Sequence, residues 1–382
     1  MAHFVGIFLA LYLRQQRGFN DAEAGWIVGL WGFGGTVAAP IGGVLTDKLG
    51  RRATMLLGLV LGALTVVAVA CTTNLATLVV LSLLAGATHQ LFFPSSNAAV
   101  ADLVAPIDRR RAYGHMYWAM NMGLAIGFTI AGIVPSRFLF WLFLADAGTS
   151  LVSAALIAWK VPETRPAVVD YEPVLRGLAR AMKDRVFMTF CALHTSALVI
   201  FTQFQLALPL DMADHHVNSQ GFSWLMAFNC IGVVLLQPWV APLLRQVDPS
   251  RLLAVSSILV GIGYAMNAFV ATLPLYLVGA AFWTVGEVVG FPAASTLVAD
   301  LAPVEMRGRY QGLFSMVWGL AMALSPVFGG QMMHHLGAPA LWFACLAISA
   351  LIALGHLVCA SSRRKQIAVV LPSRLIDRAA AS

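Results

Sequence analysis

Charge is what this sequence has least of. Only 11% of its 382 residues are Asp, Glu, Lys or Arg, where soluble proteins carry about 25%, so most of the chain cannot present a folded surface to water. Cysteine is scarce as well. Cys71, Cys191, Cys230, Cys345 and Cys359 stand singly in apolar runs with no metal-like spacing, so they read as small buried apolar residues, and no metal or other cofactor is expected. The sequence has no phosphate-binding glycine loop, so ATP drive by this chain is not expected. It shows no nucleophile motif and no cleavable signal peptide, since the apolar start runs directly into the first hydrophobic span.

What the chain does have is long apolar runs. Hydrophobic residues make up 59% of it, and a bilayer core needs roughly 20 of them per helix. Between charges and turn formers we place spans near 1–13, 25–45, 53–71, 76–101, 112–134, 138–159, 186–210, 222–244, 252–270, 273–299, 310–332 and 338–360. The net charge of +7 could suggest nucleic acid. Its distribution says otherwise. With the N-terminus inside, all of the 24 Lys and Arg except Arg14, Arg17 and Arg137 fall on the inner side of these spans. That is the positive-inside pattern of a multi-pass protein of the cytoplasmic membrane with both termini in the cytoplasm. His215-His216 and His334-His335 fall on expected outer loops; adjacent histidines share no helix face, so both doublets read as solvated.

The chain also repeats itself. "FPSSNAAVADLVAPIDRRRAYG" from Phe93 matches "FPAASTLVADLAPVEMRGRYQG" from Phe291, 198 residues later. The same offset brings Trp26 onto Trp224, Gly34 onto Gly232, Pro40 onto Pro238 and Gly132 onto Gly330. Two tandem copies follow, each of six helices. We therefore expect an all-α membrane protein of two six-helix bundles related by a pseudo-two-fold along the membrane normal. The expected divisions are 1–160 for the first bundle, 161–185 for a cytoplasmic linker, 186–360 for the second bundle and 361–382 for a basic, mobile tail. In the linker, Val174, Leu175, Leu178, Ala181 and Met182 recur at helical spacing among Arg176, Arg180 and Lys183, the pattern of a short amphipathic helix at the inner headgroups. The first span is short. Thirteen residues cover about 20 Å, less than a bilayer, so the first helix reads as truncated, and a misassigned start is the simplest account.

"GGVLTDKLGRR", Gly42 to Arg52, lies on the inner side between the second and third spans. Gly43 lets two helices approach closely, Gly50 permits a turn, and Asp47 can accept from a helix N-terminus or from an Arg of the other half. This stretch resembles the signature loop of the major facilitator superfamily, with Gly43, Asp47, Gly50, Arg51 and Arg52 matching position by position. The second copy, "APLLRQVDPSR", has lost the glycines and carries Arg245 where Asp47 stood. "VPETRP", Val161 to Pro166, is similar to the superfamily's boundary between halves. Within the superfamily the chain most resembles twelve-helix drug:proton antiporters, whose fifth span carries a glycine-proline motif. Here Gly123, Gly127 and Gly132 stand in the fifth span, with Phe128 in place of the proline. Pro326, Gly329 and Gly330 stand in the eleventh. The resemblance implies helix-packing roles for these six.

The repeated phrase spans the inner ends of the fourth and tenth spans and the loops after them. It carries Asp102 with Arg109 and Arg111, and Asp300 with Arg307 and Arg309. Individually these are positive-inside anchors with local ion pairs; as a set beside Asp47 they read as a breakable inner gate. Glu287 lies near the middle of the tenth span, where a carboxyl is tolerable when protonated and costly when ionised. Its repeat partner is His89. The two suit a proton relay, against the alternatives of a neutral structural acid and a hydrogen-bonded packing histidine. Asp146, on the sixth span, is a further buried acid, with structure the first reading there. His194 is weaker. The other polar groups on expected cavity spans are Gln90, Tyr117, Trp118, Asn121, Gln203, Gln205, Asn229, Trp283 and Trp318 among many Phe and Met. So sparse a set suits amphipathic, drug-like molecules better than a sugar, whose hydroxyls each need a partner. We expect a monomeric, proton-coupled efflux carrier of small molecules working by alternating access. The alternatives are a proton-coupled uptake symporter and, remotely, an intramembrane enzyme using His89 and Glu287.

Overall fold

The computed structural model describes residues 9, 12–13, 16–19, 21–133, 139–165, 174–217, 219–244, 246–269 and 271–381, without the side chains of 21–26, 127–133, 139, 174–175, 219 and 371–381. Among the described residues it is almost wholly helical. The main helices are α1 (Asp21–Leu49), α2 (Arg51–Cys71), α3 (Leu75–Gln90), α4 (Phe92–Leu103), α5 (Arg109–Ile133), α6 (Leu139–Lys160), α7 (Val174–Lys183) and α8 (Arg185–Phe201). They continue as α9 (Ala207–Asp214), α10 (Ser219–Leu243), α11 (Pro249–Met266), α12 (Leu273–Leu301), α13 (Arg307–Leu336), α14 (Ala338–Val358) and α15 (Ala360–Ala381).

Ten helical stretches among the described residues are long and apolar enough to cross a membrane. They correspond to ten of the twelve expected spans. The expected first span lies mostly outside the described residues, and the fifth is α5, whose last side chains are also outside them.

Helix ends follow side-chain chemistry. Asn74 caps α3 by accepting from the Thr77 N–H at 3.1 Å, Asp184 caps α8 from Val186 at 3.1 Å and Phe187 at 3.0 Å, and Asp248 caps α11 with Pro249 in its first turn. The α8–α9 span is not continuous: a 3-10 turn at Thr202–Gln205 and Leu206 at φ −133° separate the two pieces.

Two compact units form. The first comprises 1–103, 123–181 and 304–319, the second 104–122, 182–303 and 320–382. In the first, α1 packs along α3, and α2 lies against α3 and α6. Leu9, Leu13, Ile27, Val69, Leu78 and Phe143 form part of its core. The start of α13 crosses α1 at the closest distance the backbone allows. A Cβ on Gly312 would lie 2.6 Å from the Ala39 carbonyl oxygen and 2.9 Å from the Gly43 Cα.

In the second unit α11 packs between α12 and α14, with α10 on α12. Tyr264 is stacked between Trp283, at 6.2 Å, and Trp342, at 5.7 Å, and donates to the Phe201 carbonyl at 2.6 Å. The tail differs from the mobile segment expected, because α15 continues from α14 and its first turns are pinned. Arg363 is buried and donates to Ser250 at 3.1 Å and His356 at 3.0 Å, and Gln366 donates to Asp184 at 2.7 Å. Burial pulls the Arg363 guanidinium below the ordinary arginine range.

The five glycines and one proline assigned to helix packing are not alike. Gly329 is tightly packed against Gln203, whereas Gly123 has nothing within 4 Å of a Cβ, Gly330 has only an ordinary contact at 3.7 Å, and Pro326 lies half-buried inside α13. Gly127 and Gly132 fall among the residues whose packing lies outside the description. Gly312→Val therefore forces backbone against backbone and lowers stability by roughly 1–3 kcal/mol or more, while Gly123→Val leaves the melting temperature in detergent close to that of the parent.

Candidate functional site

Asp47 sits near the end of α1 with 2% exposure. Its two oxygens accept the backbone N–H groups of Gly308 at 2.8 Å and Arg309 at 3.0 Å, the first turn of α13. A carboxylate there meets both the orphan donors and the positive end of the helix dipole. Arg51 stands 3.5 Å from one oxygen and Arg309 4.0 Å from the other. Gly43 makes this possible, since any Cβ would strike the Gly308 carbonyl.

Asp102 is the second acid of this cluster. It accepts from Arg51 Nε at 2.8 Å, from Thr164 at 3.1 Å and from Arg307. Glu163, of the "PETR" stretch, takes the N–H groups of Arg51 at 2.8 Å and Arg52 at 3.2 Å. It thereby caps α2, whose preceding residue, Gly50, has φ +106° and admits no side chain beside that carboxylate. Arg52 itself donates to the Ala158 carbonyl. Sequence reasoning passed over Glu163. The signal was an acid 112 residues from a helix start with free N–H groups, which no local pattern reveals.

The second unit holds the counterpart. Asp300 pairs with Arg109, which is 1% exposed. Arg110 is buried too and donates to the Leu244 carbonyl. Asp102 thus takes Arg307 and Asp300 takes Arg109, each pair joining the two copies of the repeat. Arg111 is exposed, unlike Arg309.

Glu287 is 4% exposed in the middle of α12. Tyr117 of α5 donates to its Oε1 and Asn229 of α10 to its Oε2, the latter at 2.7 Å. Asn229 also donates to Thr284 at 3.0 Å. Asn121 donates to the Tyr117 carbonyl at 3.0 Å, and Trp118 to the Val234 carbonyl at 2.8 Å. The Tyr117 ring stacks on Phe291 with centroids 5.0 Å apart. No Lys or Arg forms an ion pair with Glu287 among the described residues.

The remaining candidates divide between the units. His89, half-buried with its ring edge-on to Phe93 at 5.6 Å, Gln90, Asp146 and Trp318 belong to the first. Asp146 is 7% exposed on α6. In the second, His194 stacks on Phe190 at 5.5 Å and lines a cavity of about 30 Å³ with Ser256, Ser257, Ser349 and His356. Gln203 donates to the Ser325 hydroxyl at 3.0 Å and Gln205 to the Met322 sulfur at 2.9 Å. Trp283 is buried in the Tyr264 stack. Among the described residues no group of three His, Cys, Asp or Glu is arranged to hold a metal.

Ten long apolar helices among the described residues are those of a multi-pass membrane protein. The sequence model of the Major Facilitator Superfamily matches residues 1–210 and 187–375, and the chain belongs to that superfamily. It is 23% identical over 352 residues to the MFS-type transporter YhjO of Bacillus subtilis, covering 91% of this chain and 86% of that one. It is 25% identical over 376 residues to the multidrug resistance protein MdtH of Yersinia pestis, covering 97% and 94%. Its fold is similar to that of the human organic anion transporter MFSD10, with a TM-score of 0.76 at 18% identity over 92% of this chain and 89% of that one. It is also similar to the Escherichia coli fucose:proton symporter FucP, with a TM-score of 0.71 at 16% identity over 94% and 95%. The chain is a multi-pass membrane transporter, not an enzyme.

Breaking a buried pair leaves one charge without that counter-ion. Asp300→Asn therefore lowers stability by about 3–5 kcal/mol, and adding Arg109→Met recovers most of the loss in thermal unfolding. A double variant no better than the single one rules out the pair as the cause.

Proposed function

We propose that this chain exports small amphipathic molecules across the cytoplasmic membrane in exchange for protons, with both termini in the cytoplasm. Glu287 carries the reading. Its carboxyl is held by neutral donors only, in a helix whose neighbouring residues are apolar. Ionised, it needs both donors. Protonated, it has an O–H to give, which the Tyr117 oxygen can accept and the Asn229 amide nitrogen cannot. The same constellation therefore serves two charge states, and a ligand that disturbs Tyr117 or Asn229 shifts the balance between them. That linkage is what coupling requires.

The Asp47 and Asp102 cluster supports a role as the inner gate. Several charge-assisted bonds close it together, and breaking them together gives a two-state element. Efflux, rather than uptake, is favoured by the relative named as a multidrug resistance protein and by aromatic and methionine surfaces that adapt to many shapes.

Glu287→Gln, reconstituted in proteoliposomes with a fluorescent amphipathic cation, should fold and bind yet lose accumulation driven by a pH gradient while keeping downhill exchange. His89→Ala should act more mildly, shifting the pH optimum. Reversing the gradient reports direction. Accumulation by Glu287→Gln with the parent's pH dependence would falsify the assignment and make Asp146 the next acid to test.

A further inference from the structure

A second set of buried polar groups lies far from Glu287. Asp211, on the short helix α9, is 1% exposed. Its Oδ2 accepts the Tyr276 hydroxyl at 2.7 Å. The Tyr276 oxygen in turn lies 3.0 Å from His215 Nδ1, and the His215 side chain is 37% exposed. His215 lies in the turn just past α9, open to water as the sequence suggests, with its ring facing a tyrosine. His334 and His335, the other doublet, are exposed in the last turn of α13 rather than on a loop. Tyr276 and Glu287 are eleven residues apart on α12, about 16 Å along the helix, so the two acids occupy different depths.

The hydrogen directions in this chain of groups are determined. His215 Nδ1 lies 2.9 Å from the Asp211 carbonyl oxygen, which can only accept, so Nδ1 bears a hydrogen. That N–H also faces the Tyr276 oxygen, whose own O–H points at the carboxylate. Water, imidazole, phenol and carboxylate therefore stand in donor-to-acceptor order. The groups facing Asp211 are His215 and Asp214 at the end of its own helix, Tyr276 from α12 and the Trp342 indole from α14. The packed helix α10 carries no charged side chain.

We propose that Asp211 is a second proton-binding site, loaded from the aqueous phase through His215 and Tyr276. A proton taken from water makes His215 an imidazolium. Its Nδ1–H bond then breaks as that proton passes to the phenol oxygen, and the Tyr276 O–H proton passes to Asp211 Oδ2. The products are neutral imidazole, intact phenol and a protonated carboxyl, with no other reactant. Imidazole is the side chain suited to exchange protons with neutral water, and a buried carboxylate cannot reach water by itself.

Loading has a mechanical outcome. The Tyr276–Asp211 bond ties α9 to α12, and α9 hangs on the non-helical break at Thr202–Leu206. A charge-assisted bond becomes a neutral one on protonation and weakens. Proton occupancy of Asp211 thus sets how firmly α9 is held.

Hydrogen–deuterium exchange on the full chain in lipid nanodiscs tests this, with amide rates at 207–214 corrected for intrinsic chemistry and compared between about pH 8 and pH 5. The parent should exchange about tenfold faster at the lower pH, the effect of weakening one such bond. Asp211→Asn and Tyr276→Phe should exchange at the faster rate at both. His215→Gln should keep both end points but take up protons more slowly after a pH jump, read with an indicator dye. The Glu287→Gln variant should keep the parent's response, so the outcome is separate from the role of Glu287. A parent rate that does not change with pH overturns the site. So does a parent-like pH response in either Asp211→Asn or, should that variant not fold, Tyr276→Phe.

Discussion

Two of this chain's buried arginines take an anion from the other copy of its own repeat. Asp102 receives Arg307, and Asp300 receives Arg109. Around the first of these pairs the remaining polar groups fall into place. Arg51 is shared between Asp102 and Asp47, Asp47 closes the N-terminus of α13, and Glu163 closes that of α2. The arginine at 307 adds to Asp47 a second anchor for the start of α13, and together they hold the glycine crossing at Gly43 and Gly312 in register. Burial raises the stakes: a charge in this setting is either paired or a large penalty.

Glu287 obeys the opposite rule. Its partners are a phenol and an amide, neither of which carries charge. An ion pair would fix its protonation state; neutral donors leave the proton free to come and go. The contrast between the acids at the repeat ends and the acid in mid-helix is therefore chemical. One set is held by charged partners, and the other, among the described residues, by neutral ones.

The architecture was legible because its signals are long. Twenty apolar residues at a time and a repeat held at one offset survive any local noise. The acid at Asp47 was legible too, since glycines and basic residues at fixed spacing dictate a close crossing. The pairing of Asp102 was not. Seven residues separate it from Arg109 and 205 from Arg307, and spacing alone favours the near partner. Tyr117 and Glu287 both stood out, yet nothing in sequence joins them. Asp211 escaped notice because it sits at the boundary of an apolar run, where an acid is ordinary; only the tertiary contact with Tyr276 shows it to be buried.

The first compact unit includes residues 304–319. This has a consequence for synthesis. As the chain leaves the ribosome, α1 to α6 are made first, but Arg307 and the N–H groups that satisfy Asp47 arrive only after most of the second copy exists. Until then Asp102 lacks one of its cations and Asp47 two of its donors. The helices α1 to α6 therefore form a body that lacks its last piece until α13 is made. Completion is a late and non-local event, of the kind that slows folding and exposes intermediates to quality control.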